Sequence, residues 1–232
     1  MISIKIITDS TSYITKEYAR ENNITVVPLS YYFGEEMEKE GFPGEFENFF
    51  NRLENSNLFP TTSQPPTGDF LEEYNKAFNE GYEEIIVILL SSKLSGTYNS
   101  ANLAKGILGD ERISIVDSEQ AASNLRFLVE DAINMSKEGK SIEDIMDHLE
   151  NKKKEMYVYL TVNTLEYLKR GGRLSSFQSA IGSVLQIRPI IQLKDGVLDS
   201  IEKVRGKNKA LNSIGEKIFE NVEKISICHV LD

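Results

Sequence analysis

The chain has 232 residues, of which 40% are hydrophobic and 27% charged, a composition typical of a folded globular protein. Its formal net charge of −10 argues against a nucleic-acid-binding protein, because phosphate contacts require clustered lysine and arginine side chains. The longest wholly apolar run, residues 85–90, is far shorter than the roughly 20 residues of a transmembrane helix. We also expect no signal peptide in the start MISIKIITDS, because Lys5 and Asp9 interrupt its apolar stretch.

The single cysteine, Cys228, allows no disulfide within the chain and no CxxC metal site. We therefore predict a reducing environment, the cytoplasm, for this protein. The position of the cysteine in the apolar run ISICHV predicts a buried thiol with a structural role.

Four short runs rich in β-branched residues stand out in the first 120 residues, and each precedes a polar cluster and a helical pattern. Such runs, alternating with helices, indicate a parallel sheet that is covered by helices on both faces. The predicted strands are ISIKIIT (2–8), ITVVPLSYYF (24–33), IIVILL (85–90) and ISIVDS (113–118).

Two helices are predicted after these strands. Residues 124–138 carry apolar side chains three and four positions apart, and Gly139 can end this helix. The next helix begins at Ser141, with Asp144 three residues later in an arrangement that resembles a capping box. Its helical spacing of apolar residues ends in the charged run NKKKE (151–155), which is a candidate linker.

The pattern changes after this run. A hairpin is predicted around the turn signal Asp195-Gly196, whereas no hairpin pattern is found in the first half of the chain. The predicted elements are a strand at 156–162, a short helix at 164–174, the hairpin at 189–204 and a strand at 225–232.

We therefore predict an α/β protein of two domains. The first, residues 1–152, has a parallel sheet with helices on both faces. The second, residues 153–232, combines a mixed sheet with helices.

Hydroxyl side chains are concentrated where the predicted strands end. In an open parallel sheet, ligands bind at the carboxyl ends of the strands, and helix N-termini there favour anions. One interpretation is that each serine or threonine simply caps its helix. The other is an anion site built from neutral donors, which avoids burying lysine or arginine. Three clusters end predicted strands, TDSTS (8–12), SSKLSGTYNS (91–100) and VDS (116–118), and a fourth, TTSQPPTG (61–68), precedes a predicted helix.

Other sequence features bear on the identity of the anion. Nucleotide-binding loops of the forms GxxxxGK[ST] and GxGxxG are missing, and GTYNS does not match GxSxG. The two histidines, His148 and His229, form no plausible catalytic set, and His148 is predicted to be a surface residue. The apolar segment 180–193 is either domain core or the wall of an apolar slot. An anion site that faces an apolar slot suits a fatty acid.

Taken in order, six motifs of the chain resemble those of the DegV family, the bacterial fatty-acid-binding subunits of fatty acid kinase. The resemblance runs from residue 4 to about residue 230. The most specific part is TSQP followed by LSGTY. The motifs are TDSTS, TSQPPTGDF, LSGTYNSA, VDS, RGGRLSS and IRPIIQLKDGVL.

The resemblance implies a two-domain fold with a long-chain fatty acid between the domains. It also implies that Thr62 and Ser95 hold the carboxylate, with Ser63, Gly96 and Thr97 in the same two motifs. Gly96 would let the chain approach the ligand closely. No cofactor is implied beyond the bound fatty acid.

The resemblance further implies a protein partner, an ATP-dependent kinase that phosphorylates the fatty acid for phospholipid metabolism. Arg173, which follows two glycines, and Arg205 would serve docking or phosphate transfer. Gly206 stands where the family usually has threonine. The family also continues beyond residue 232 with a histidine-containing segment, so we expect the second domain to be incomplete here.

Two classes of function remain open. The first is a carrier that is not itself an enzyme and presents its fatty acid to the kinase. The second is a small-molecule kinase or transferase that binds a phosphorylated substrate at the hydroxyl loops. In the second, Asp9 and Asp117 would bind Mg²⁺, whereas otherwise they cap the turns after their strands.

Overall fold

The computed structural model describes residues 2–173, 187–218 and 221–229. It divides into two compact units, Met1–Met156 and Tyr157–Asp232. The first contains a parallel sheet with helices, and the second an antiparallel sheet with helices, so the predicted α/β fold class is confirmed. The domain assignment made from the sequence stays a prediction.

Strands and helices alternate along most of the first unit. Its strands are β1 (Ile4–Asp9), β2 (Thr25–Val27), β3 (Ser30–Phe33), β4 (Glu36–Lys39), β5 (Thr61–Ser63), β6 (Glu84–Leu89) and β7 (Ile113–Asp117). Its helices are α1 (Lys16–Glu21), α2 (Glu47–Asn55), α3 (Thr67–Asn79), α4 (Thr97–Leu108), α5 (Ala122–Lys137) and α6 (Ile142–Lys152). Short 3₁₀ turns follow β1 and α6, at Ser10–Ser12 and Lys153–Glu155.

The main sheet has the strand order β2-β1-β6-β7, and all of its neighbours are parallel. Successive side chains point to opposite faces, so β1 contributes Ile6 to one hydrophobic core and Ile7 to the other. The first core includes Leu125 and Leu128 of α5, and the second includes Tyr74 of α3. Burial on both faces explains why β6 is an almost continuous apolar run. The carboxyl ends of β1, β6 and β7 carry three of the hydroxyl clusters, whereas TTSQPPTG begins with β5, which lies outside this sheet.

The predicted strand at 24–33 is wrong as a single element. Pro28 separates β2, in the parallel sheet, from β3, in a small antiparallel sheet of order β4-β3-β5. Strand β3 is central in its sheet, and proline has no N–H to donate within a central strand, so β3 begins only after Pro28. Strands β3 and β4 form a hairpin around Gly34, whose φ is 64°, although no hairpin was predicted in this half.

The predicted helices α5 and α6 are confirmed, and so is the capping box. The Ser141 hydroxyl accepts from the N–H of Asp144 at 3.1 Å, and the Asp144 carboxylate accepts from the N–H of Ser141 at 3.4 Å. The candidate linker 151–155 is instead helical. Its Lys153 is buried and donates to the carbonyl of Asp117 at 2.9 Å, which ties the end of α6 to β7.

The second unit is built on the antiparallel order β10-β9-β8. Asp195 and Gly196 connect two of its strands, and their φ values of 47° and 79° match the turn type that hairpins favour. The predicted hairpin is therefore confirmed. The elements are β8 (Val158–Thr161), α7 (Glu166–Arg170), β9 (Ile187–Lys194), β10 (Val197–Arg205) and α8 (Lys207–Gly215).

Two predictions near the end of the chain are wrong for the described residues. Residues 225–229 form no strand, and the side chain of Ile227 is 89% exposed. Cys228 is exposed rather than buried. An apolar run is buried only where other elements pack on it, and a strand forms only with a pairing partner. The rest of the predicted strand, and residues 180–186 of the apolar segment, lie outside the described residues.

Candidate ligand site

The loop after β6 is fixed by the two strands that flank it. Three consecutive N–H groups, those of residues 90, 91 and 92, donate to the neighbouring strand ends. Their acceptors are the Asp9 carboxylate at 2.8 Å, the Gln120 carbonyl at 2.9 Å and the Asp117 carboxylate at 3.1 Å. This anchoring fixes the start of the segment that leads to Ser95.

The two carboxylates at the strand ends act as caps. Asp9 is fully buried and also accepts from the N–H and the hydroxyl of Thr11, at 2.9 and 2.6 Å. Burial raises the pKa of Asp9 to about 6, although the hydrogen bonds from Thr11 and Leu90 oppose that shift. Asp117 likewise accepts from the N–H of Glu119 at 3.1 Å. Both carboxylates therefore accept backbone N–H groups at the strand ends and cap the turns that follow β1 and β7.

Ser95 lies just before α4 and is partly buried. Its hydroxyl is 2.9 Å from that of Thr97, the fully buried first residue of the helix, and accepts from the N–H of Thr97 at 3.4 Å. The N-cap position is Gly96, which has no side chain to cap the helix. Ser100, in the first turn, is buried and its N–H donates to the Gly96 carbonyl. Thr97 thus orients the Ser95 hydroxyl at the N-terminus of α4.

Thr62 and Ser63 lie on the edge strand β5. Thr62 pairs with Tyr31 of β3, and Ser63 pairs with Ser30. The Thr62 side chain is exposed, whereas the Ser63 hydroxyl donates to the carbonyl of Gln64 at 3.2 Å. The motif TTSQPPTG is therefore a strand followed by a proline turn into α3, whose N-cap position is Pro66 and which also lacks a side-chain cap.

The two hydroxyl loops meet at Gly96. A Cβ atom on this glycine would lie 2.5 Å from Oε1 of Gln64 and 2.7 Å from its Cδ and Nε2. The exposed side chain of Gln64 therefore lies in the room that the glycine leaves, so the motifs of Thr62 and Ser95 are neighbours at this point. The sequence analysis named Gly96 for close approach to a ligand but did not single out Gln64, which only its place in TSQP could have indicated.

The two predicted arginines lie on the second unit and are exposed. Arg173 follows Gly172, whose φ is 72°, and its guanidinium donates to the carbonyl of Gly171. Arg205 is the last residue of β10. Gly206 has φ 91° and ψ 151°, a conformation that is essentially restricted to glycine. A threonine at this position would therefore be strained.

The histidines have separate roles. His148 is only half-exposed, and its Nε2 lies 3.2 Å from the Asp131 carboxylate, so it joins α6 to α5. His229 is exposed, in the segment 221–229. Within the ranges that the structure describes, no three His, Cys, Asp or Glu side chains are grouped to hold a metal ion, and no helix is long and apolar enough to cross a membrane.

Comparison with known proteins decides the family. The model of the DegV family matches residues 3–231. The chain belongs to the DegV family. A DegV domain-containing protein of Halalkalibacterium halodurans is 38% identical to this DegV chain over 226 residues, which cover 97% of the chain and 80% of the relative. The resemblance found in the sequence is thereby confirmed.

Two crystal structures have the same fold. One is DegV from Bacillus subtilis, described as a fatty acid binding protein, with a TM-score of 0.81 and 36% identity over 93% of this chain and 77% of the other. The second is a DegV lipid binding protein from Thermotoga maritima, with a TM-score of 0.84 and 33% identity. The match covers 93% of this chain and 76% of the Thermotoga chain. Relatives at this level of identity are thus described as binding fatty acids or lipids.

Proposed function

We propose that this DegV-family chain is a carrier that binds one long-chain fatty acid, with the carboxylate at Thr62 and Ser95. The observation that supports this proposal is the meeting of the two hydroxyl loops through Gln64 and Gly96. The description of the Bacillus subtilis relative as a fatty acid binding protein points to the same ligand. Gly96 and Thr97 would shape the serine side of the site, and Ser63 the threonine side.

Neutral donors suit a carboxylate at this position. Hydroxyl and N–H groups hold an anion without the desolvation cost of a buried lysine or arginine. The first turn of α4 contains no acidic residue, so its N-terminal dipole favours an anion beside Ser95. The first turn of α3 contains Asp69, whose charge is paired with Lys39 at 2.9 Å. We therefore expect α4 to contribute more than α3.

Substitution of the two hydroxyl residues tests the carboxylate site. Thr62→Ala or Ser95→Ala should each weaken palmitate binding by about 1.5–3 kcal/mol, or roughly ten- to hundredfold in Kd, because each removes a donor to a charged group. Isothermal titration with palmitate measures the change. Ser92→Ala is the matched control, since Ser92 is an exposed serine of the same loop. Wild-type affinity in both Thr62→Ala and Ser95→Ala would show that the carboxylate lies elsewhere.

The proposed partner is an ATP-dependent kinase in the cytoplasm, to which the carrier presents its fatty acid. A carboxylate oxygen would attack the γ-phosphorus of ATP, ADP would leave, and an acyl phosphate would form on the carrier. On this proposal the carrier supplies no catalytic group. Exposed guanidinium groups at Arg173 and Arg205 suit docking or phosphate recognition, since arginine binds phosphate through two parallel hydrogen bonds.

Arg173→Ala should leave the Kd for palmitate unchanged and lower the rate of acyl phosphate formation with ATP and the cognate kinase. The rate is measured by trapping acyl phosphate with hydroxylamine. Arg170→Ala removes the same charge from the same helix end, where Arg170 pairs with Glu166 at 2.7 Å, and should have the smaller effect. A variant at Arg173 that loses palmitate but transfers normally once loaded would contradict the docking role.

A further inference from the structure

We infer that Gln120 and Lys153 are positioning residues for the fatty-acid site, because together they fix the turn that carries Ser95. The inference rests on the proposed function, since it concerns the same carboxylate. Both residues act through Ser95, and neither is assigned contact with the ligand. Lys153 belongs to the charged run that the sequence analysis interpreted as a candidate linker.

Ser95 is fixed by the turn that precedes it. The carbonyl of Ser91 accepts from the N–H of Leu94 at 3.0 Å and from that of Ser95 at 3.2 Å, so this carbonyl closes the turn. Ser91 is completely buried, and its own N–H donates to the Gln120 carbonyl at 2.9 Å. The position of Ser95 therefore depends, through one buried residue, on the position of Gln120.

Each polar group of Gln120 is hydrogen-bonded, and the residue is only 3% exposed. Its N–H donates to the hydroxyl of Ser118 at 3.0 Å. The amide of its side chain accepts from Asn124 of α5 at 3.0 Å and donates to the carbonyl of Lys153 at 3.2 Å. A buried amide held at both ends has little freedom, because any movement leaves a buried polar group without its partner. Gln120 is thus attached both to α5 and to the end of α6.

Lys153 completes a closed ring of hydrogen bonds. Its side chain is 8% exposed, which is rare for lysine, and its ammonium group donates to the carbonyl of Asp117 at 2.9 Å. The carboxylate of Asp117 in turn accepts from the N–H of Ser92 at 3.1 Å. Ser92 adjoins the residue from which the ring started. This polar ring consists of Ser91, Gln120, Lys153, Asp117 and Ser92.

The polar ring joins three segments that are far apart in the sequence, namely the loops after β6 and β7 and the end of α6. If one of its bonds is lost, the turn that carries Ser95 is held on one side only. Hydrogen-bond strength falls with misplacement of the donor, so a displaced Ser95 hydroxyl would hold a carboxylate less tightly. A ring that served stability alone would leave palmitate affinity unchanged in a folded variant, and this difference can be measured.

A double-mutant cycle with Ser95→Ala tests this role. Lys153→Met keeps most of the aliphatic side chain and removes the ammonium group, and it should raise the Kd for palmitate about tenfold. In the Ser95→Ala background the same change should raise the Kd less than about twofold, because the hydroxyl that it displaces is already gone. In the Thr62→Ala background it should keep its full effect, since that hydroxyl lies on a loop outside the ring. Isothermal titration with palmitate gives all of these values.

Lys154→Met is the matched control, because Lys154 is an exposed lysine of the same run whose Nζ lies 3.5 Å from Oδ1 of Asn151. It should bind palmitate like the wild type. Thermal melts establish that each variant is folded. Should Lys153→Met not fold, Gln120→Met, which removes two side-chain hydrogen bonds, replaces it in the cycle.

Three results would overturn the positioning role. They are wild-type affinity in folded Lys153→Met, an equal loss from that change in every background, and loss of folding in both Lys153→Met and Gln120→Met, which would show a structural role alone. The proposed function fails by different results. A wild-type chain that binds no palmitate, or Ser95→Ala with wild-type affinity, refutes the proposed carboxylate site instead.

Discussion

Asp9 shows how a single buried group couples this fold to pH. Its oxygens accept three hydrogen bonds, from Leu90 and Thr11, yet burial raises its pKa from 3.8 to about 6. Between these two values the folded state binds more protons than the unfolded state, so stability falls as pH rises through that interval. Glu40, which accepts from the Ser10 hydroxyl at 2.6 Å, acts in the same direction, because burial also raises its pKa.

Asp9→Asn should flatten the pH dependence of the unfolding free energy between pH 3.8 and about 6, because it removes the titrating group. The variant should also be less stable overall by about 1–3 kcal/mol, since an amide offers one acceptor oxygen where the carboxylate used both. Urea unfolding at a series of pH values measures both effects.

Asp110→Asn is the control for this titration. The pKa of Asp110 is lowered by its hydrogen bond to Arg112, so its contribution to stability is lost as pH falls rather than as it rises. Removing it should not flatten the decline that we assign to Asp9. If the unfolding free energy of Asp9→Asn falls with pH as steeply as that of the wild type, another group causes the decline. Glu40 would then be the next residue to substitute.

At the scale of elements, those with a strong local pattern are predictable from the sequence. Strands β1, β6 and β7 are apolar because both faces of the sheet are covered, and α5 has its apolar positions on one side. The turn at Asp195 and the capping box at Ser141 are equally local signals. The small sheet is different, because β5 is the polar tripeptide TTS and is a strand only through its pairing with β3.

In the candidate site, too, the features with a local sequence pattern are predictable and those that depend on tertiary contacts are not. Its hydroxyl residues, Thr62 and Ser95, are visible in the sequence because each lies in a hydroxyl-rich cluster and in a motif. The contact between Gln64 and Gly96 is not, because it depends on the tertiary approach of two loops 32 positions apart. Near the end of the chain, the β-branched run at 225–229 has the local pattern of a strand, but these residues form no strand in the structure.

At the scale of the whole molecule, the two units differ in how deeply their strands are buried. In the first, two hydrophobic cores lie on opposite faces of the parallel sheet, and Ile85–Leu89 of β6 are completely inaccessible to solvent. In the described part of the second, the clustered core consists of Ile190, Val204 and Ala210. Local opening costs more free energy where more apolar surface must be exposed, so the amides of the two units should differ in protection.

Hydrogen–deuterium exchange of the intact chain should therefore show the slowest exchange in peptides from β1 and β6, with faster exchange in peptides from β9 and β10. Strand β9 pairs with a strand on each side, as β6 does, so faster exchange in β9 than in β6 would reflect burial rather than missing strand pairing. The control is the same digest in denaturant, which corrects for intrinsic exchange rates. Slower exchange in peptides covering 187–205 than in those covering 84–89 would contradict this order. It would show that the smaller described core confers the greater resistance to opening.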